Sequence, residues 1–439
     1  MTVELAHPST EPTGLRSSTE PARPRWWFFS TTPGRILAIG LILAALGGIS
    51  AFATATTINN RQHTLTTVLD HTEPLAYAAG QLYTTLSVAD AAAATAFIAQ
   101  GEPRAVRQRY EQAITDAAVA VTRASGGLDD EPLLQLLGRI NAELAVYTGL
   151  IETARTNNRS GDPVGSSYLS EASELMQHTI LPDAQRLYQA TSATVDVQTT
   201  ASTRVPAPVI LVVATTVLFG AFAHRWLARH TRRRINLGLV AGGLAILLMI
   251  IWVGTVLVIS TAGSRNAKDT GAESLKAITN LVITAQQARA DETLSLIRRG
   301  DEEIRKQTFY QRIDTMQEQL QGYLDRGDAV DQADLANAGQ LLARWRQAND
   351  RMNAYISVGN YRAATLVALG GSGDDSTPAF DQLDATLDKA LQHSRNQLRG
   401  DVLNARRVLS VAPVGGAVLS MSAAIAVALG LWPRLNEYR

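Results

Sequence analysis

Long apolar runs alternate with long polar stretches along this chain. No Asp, Glu, Lys, Arg or His occurs in Ile36–Thr57, Val205–Ala223, Ile235–Ala262 or Leu409–Trp432. Each run has the ~20 residues a helix needs to cross the hydrocarbon layer. The pattern predicts an all-α membrane protein with four transmembrane helices, at 35–57, 205–224, 235–262 and 409–432. Around them lie an N-terminal tail (1–34), two large polar segments (58–204 and 263–408), a connector (225–234) and a C-terminal tail (433–439).

Both large segments are rich in Ala, Leu and Gln, carry interspersed charge of both signs and lack β-type alternation, which is helical composition. In the first, Gly101-Glu102-Pro103, the stretch Ala124–Pro132 and the stretch Asn157–Pro163 each interrupt the helical pattern. Asp129 and Asp130 suit the start of the helix that follows them, and Gly161-Asp162-Pro163 joins a stop to a start. Three breaks make four helices, the order of an up-down four-helix bundle.

The second segment repeats the plan. Ala96–Ile114, "AFIAQGEPRAVRQRYEQAI", lies against Ser295–Ile313, "SLIRRGDEEIRKQTFYQRI", with Tyr110 opposite Phe309 and Ile114 opposite Ile313. Further on, Tyr147, Gly161 and Pro182 fall against Trp345, Gly359 and Pro378. The chain therefore reads as a tandem repeat of span, bundle and span. The first and fourth helices of each bundle should run on into spans. The loop at Ser125–Glu131 should then face the membrane, with Gly101–Pro103 and Asn157–Gly165 at the far tip, matched in the second copy by Gly300–Glu302 and Gly359. An insert, "GGSGDDSTP" at Gly370–Pro378, should break the last bundle helix as an exposed loop, with recognition as a second role.

Charge orients the chain. Acidic and basic residues balance at 40 each, yet Arg225, Arg229, Arg232, Arg233 and Arg234 crowd into the connector. Positive charge beside a span is retained on the cytoplasmic side, so the connector and both termini are expected inside the plasma membrane. Arg23, Arg25 and Arg35 before the first span, and Arg434 and Arg439 after the last, agree. Both bundles then lie outside. The connector also suits anionic membrane lipid and, through Arg forks, a carboxylate or phosphate partner. Ala51–Ala55, "AFATA", looks like a signal-peptidase site, but the apolar core is longer than the usual ~7–15 residues and a long polar tail precedes it.

Catalytic chemistry is not expected. The chain has no cysteine, which removes disulfides, thiolate metal sites and thiol nucleophiles together. Its seven histidines show no metal-ligand spacing, and His63 and His71 read as surface residues. There is no phosphate loop, nucleophile elbow or kinase signature. "RRGD" at Arg298–Asp301 and "DRGD" at Asp325–Asp328 read as helix turns. The spans carry no ionisable residue, which disfavours a pump or proton-coupled carrier. They do carry Gly238, Gly242, Gly415, Gly416, Ser420 and Ala424 at packing intervals. Such surfaces suit close helix packing, within one chain or in a homo-oligomer. No cofactor, metal or nucleic acid is implied.

At the turns "IAQGEP" and "IRRGDE", each followed by its aromatic, the sequence resembles the extracytoplasmic four-helix-bundle sensor domains of bacterial chemoreceptors and histidine kinases. Two such units without an output module resemble, more narrowly, the GlnX family of mycobacteria and related actinobacteria. The resemblance implies a relay from a GlnH-like solute-binding lipoprotein, reporting extracellular aspartate or glutamate, to a PknG-like cytoplasmic Ser/Thr kinase. Contact with such a partner is expected at helix tips, with Glu102, Arg104, Arg299, Asp301, Asp374 and Asp375 as candidates. The competing expectations are a chemoreceptor-like sensor that binds its ligand directly, with Arg289, Arg298 and Arg299 to hold a carboxylate, and a membrane scaffold without switching.

Overall fold

The computed structural model describes residues 32–99, 104–203, 207–230, 271–296, 302–325, 332–370 and 372–436, with scattered positions between 244 and 262. Among the described residues every regular element is helical. In chain order these are α1 (Thr32–Thr67), α2 (Glu73–Ile98), α3 (Arg104–Ser125), α4 (Glu131–Arg159), α5 (Val164–Leu175), α6 (Leu181–Thr203), α7 (Ala207–His230), α8 (Glu273–Ser295), α9 (Glu302–Asp325), α10 (Gln332–Ser357), α11 (Tyr361–Leu369) and α12 (Ser376–Asn436). Single π-turns, Val68–Thr72 and Met176–Ile180, join α1 to α2 and α5 to α6 without breaking the helix.

The first core lies among α2, α3, α4 and the α5–α6 length. On α3, Tyr110, Ala113, Ala117, Ala120 and Ala124 recur every three or four residues and are buried, while the charged positions between them face solvent. Alanine on this stripe lets α3 approach the bulky Leu82, Tyr83 and Leu86 of α2, all buried. α4 begins after Asp130, whose side chain makes no capping bond, with Pro132 in its first turn. It ends in a tight turn in which Gly161 adopts φ 71°, a left-handed conformation that favours glycine. The Asp162 carboxylate then accepts from the Val164 amide at 3.0 Å and starts α5.

The second core is centred on aromatics. Trp345 of α10 meets Phe309 of α9 edge-on at 5.2 Å and Phe380 of α12 at 5.0 Å. Leu281 of α8, Leu342 of α10, and Leu383 and Leu387 of α12 complete it. Matched positions carry matched roles: Tyr110 and Phe309 are buried, as are Tyr147 and Trp345. Gly359 repeats the left-handed turn with φ 75°, and Asn360 accepts from the Ala363 amide as Asp162 does from Val164. Residues 271 and 272 carry π-type winding just before α8, as residues 68–72 do before α2.

The Gly/Asp-rich insert departs from expectation only in its second half. It separates α11 from α12, and of its described residues Gly370 and Ser372–Asp374 are exposed while the rest turn inward. Asp375 and Ser376 are buried. Asp375 accepts from the Ser372 amide at 2.6 Å and Ser376 enters the second core. The insert supplies core residues because α12 has to begin inside the bundle.

The two bundles form one compact unit. α2 and α8 run between the cores, so nearly every face of each is covered. Ile283 of α8 belongs to the first core, and Tyr77 of α2 packs against the second.

The apolar helices have a different make-up. Within Ala38–Ile98 and Ala207–Trp226, the most apolar windows are only 6% and 17% buried. A core helix of a soluble protein would bury such a window, so these two helices have the length, composition and exposure of membrane spans. Leu41, Ile49 and Phe52 of α1 and Leu211, Leu218 and Phe222 of α7 are exposed. The two helices meet through buried hydroxyls, Ser50 Oγ lying 2.8 Å from Thr216 Oγ1. The third expected span falls largely outside the described residues, Gly238 and Gly242 included. The fourth lies within α12, where a Cβ on Gly415 would stand 2.5 Å from the Trp252 ring, so glycine sets that approach.

Candidate functional site

The described residues place several charged side chains inside the bundles rather than at the tips. In the first bundle Asp90 of α2 is 2% exposed. It accepts from Ser173 Oγ of α5 at 3.1 Å, from Gln177 Nε2 in the π-turn at 2.8 Å, and from Tyr147 Oη of α4 at 3.5 Å. All three donors are neutral, so they offset only part of the desolvation, and burial pushes the carboxyl up to about 6.

The second bundle solves the same problem with an ion pair. Glu292 and Arg289 of α8 meet at 2.5 Å, both buried. Glu292 also accepts from Trp345 Nε1 at 3.0 Å, Asn349 Nδ2 at 3.1 Å and Ser376 Oγ at 2.5 Å. Arg289 donates to Ser376 Oγ at 2.9 Å and Thr377 Oγ1 at 2.5 Å and lies over the Phe380 ring. In each bundle, then, the aromatic of the third helix donates to a buried carboxylate on the first.

Polar contacts also join the bundles. Glu73, which follows the first π-turn and is 2% exposed, pairs with Arg395 and Arg399 of α12, each at 2.6 Å. Arg395 lies 3.7 Å over the Tyr77 ring, and Gln392 donates to Tyr77 Oη. Midway, Gln287 of α8 bonds to Tyr83 Oη. Towards α3, Arg109 pairs with Asp381 of α12 at 2.7 Å and stands 4.0 Å from Asp384. Gln286 donates to Asp384 at 2.8 Å. Burial pushes Asp384 up to about 6 against the pull of Arg109, with Asp381 and Asp388 adding to the rise.

Of the residues expected from sequence, Glu102, Arg299, Asp301, Arg232, Arg233 and Arg234 lie outside the described residues. Arg104 is exposed at the start of α3, and Arg225 and Arg229 are exposed near the end of α7. Asp374 is exposed, and its backbone carbonyl accepts from Arg351. Asp375 is buried and accepts from Arg351 at 3.4 Å, so its carboxylate is engaged internally. Arg289 sits in the second core, paired with Glu292. Asp90 left a sequence signal that the pattern reading passed over: it is the lone Asp, Glu, Lys or Arg between Glu73 and Glu102.

The geometry is that of packed helical bundles with buried, ionisable groups at their joints. Residues 64–200 match the family model of an actinobacterial sensor domain. The match runs from the end of α1 into α6, all of the first core but Ile283, and supports a sensor protein of this actinobacterial kind. No curated protein and no solved structure matches the chain at significance.

Proposed function

We propose that this protein is a plasma-membrane signal relay of the GlnX kind, without enzymatic activity. In this reading four spans carry two extracytoplasmic bundles, and the termini and the Arg-rich connector lie in the cytoplasm. The bundles register aspartate or glutamate status through a GlnH-like solute-binding lipoprotein. A PknG-like Ser/Thr kinase controlling glutamate and nitrogen metabolism receives the output. In this reading the Arg-rich connector, 225–234, is the cytoplasmic surface on which the kinase docks.

The observation that carries this reading is helical continuity. α1 passes into α2 through a π-turn, and α12 covers both the last bundle helix and the fourth apolar run. A shift in bundle packing has a covalent path along those helices, and packed helices move between discrete arrangements. The sensor-domain match supplies the input side. Mild crosslinking in native membranes, followed by capture of the tagged full-length chain, should recover both a solute-binding lipoprotein and a Ser/Thr kinase. Recovery of neither, with the chain correctly inserted, contradicts the relay.

A further inference from the structure

We propose that a cavity between the two bundles binds a small organic carboxylate, a metabolite-sized anion with a short apolar body. The cavity has a volume of about 280 Å³ and is walled by α2, α3, α8, α11 and α12. Small-molecule sites begin at about 300 Å³, so the space suits a metabolite rather than a lipid tail or a peptide. Val88, Ala91 and Ala92 of α2 and Phe380 of α12 give it an apolar wall.

The charged residues on its lining are Arg109 and Arg289, one from each bundle. Their counter-ions are Asp381 and Asp384 for the first and Glu292 for the second, and none of these carboxylates lines the cavity. The wall is thus cationic and the compensating charge stands behind it. Gln286, on the same wall, is 1% exposed and its Oε1 has no hydrogen-bond partner, so the site is incompletely satisfied as it stands. Arginine forks bind carboxylate or phosphate, but the mainly apolar lining favours an anion with an organic body over inorganic phosphate.

A ligand held by Arg109 and Arg289 together would favour the arrangement in which the bundles are closed on each other. The inference deepens the sensing reading and rests on it only for that consequence. Binding itself is tested on full-length protein in nanodiscs, by calorimetry and thermal unfolding. The probes are propionate, butyrate, succinate and glutarate, with butyramide, succinamide and inorganic phosphate beside them.

At least one carboxylate should bind saturably while its amide and phosphate do not. Arg109→Gln should weaken it about tenfold or more. Ala91→Leu, which fills the cavity, should abolish binding in a protein that still unfolds cooperatively. The proposal is overturned if no carboxylate binds at about 10 mM, if amide or phosphate binds as well, or if Ala91→Leu binds like the parent. Recovery of a lipoprotein by crosslinking is read separately, so loss of this site leaves the relay standing.

Discussion

Arg399 of α12 stands 2.6 Å from the carboxylate of Glu73 and 3.4 Å from the Leu69 carbonyl. One side chain of the second bundle thereby grips both the π-turn of the first and the residue that follows it. π-turns release a backbone carbonyl from the regular ladder and recur at functional positions. This joint connects the bundles where α1 becomes α2.

Glu73→Gln should loosen that joint. Glu73 is buried, while Arg395 and Arg399 are partly exposed and can rehydrate. The loss should therefore be moderate, about 1–3 kcal/mol. Thermal unfolding of the full-length protein in detergent checks this; an unchanged midpoint would mean that the pair contributes nothing to holding the bundles together.

Asp90 makes the first bundle pH-sensitive. Its carboxyl is raised from 3.8 to about 6, so the folded state binds that proton more tightly than the unfolded chain. The group's stabilising contribution is complete below about pH 4 and is lost as pH rises through about 6. Asp90→Asn should be more stable than the parent at pH 7.5, by roughly 1–3 kcal/mol, and the gap should close near pH 4.5. A gap that widens as pH falls contradicts the assignment.

Trp345 separates packing from hydrogen bonding in the second core. Trp345→Phe keeps the ring contacts with Phe309 and Phe380 but removes a donor to Glu292, and should cost about 1 kcal/mol. Trp345→Ala should cost about 3–5 kcal/mol. A Trp345→Phe variant as stable as the parent in denaturant melts would show that the Nε1 bond to Glu292 adds nothing. Equal costs for the two variants would show that the ring contacts add nothing.

The helix breaks were legible because chain chemistry announces them. Gly161-Asp162-Pro163 and Gly126-Gly127 with Pro132 can neither continue a helix nor be mistaken for its core. The paired positions Tyr147 and Trp345 were legible because large aromatics kept their spacing. The π-turns were not, since an apolar stripe runs on through a single wide turn. Asp90 and Glu292 were hidden for another reason: a pattern reading sends carboxylates to the surface, and only tertiary packing brings Ser173, Gln177 or Trp345 to meet them. The joint between bundles pairs Glu73 with residues more than 300 positions away, a distance at which one sequence carries no register.

The connector offers a test of output. Changing Arg232, Arg233 and Arg234 together to Gln leaves Arg225 and Arg229 to hold the orientation. If a cytoplasmic partner docks on the connector, the triple variant should lose the kinase-linked response while still capturing its outer partner. A full response in that variant would reduce these arginines to lipid anchors, worth about 1 kcal/mol each.

The side of the membrane on which the bundles lie is open to direct measurement, because the chain has no cysteine. Single cysteines at Gly149 in the first bundle and Gly373 in the second, where a new side chain meets nothing within 4 Å, should react with a membrane-impermeant maleimide on intact cells. A cysteine at Thr231 in the connector should react only after permeabilisation. Labelling of Thr231 on intact cells, with protection of Gly149 and Gly373, would put the bundles in the cytoplasm and contradict the relay from its first step.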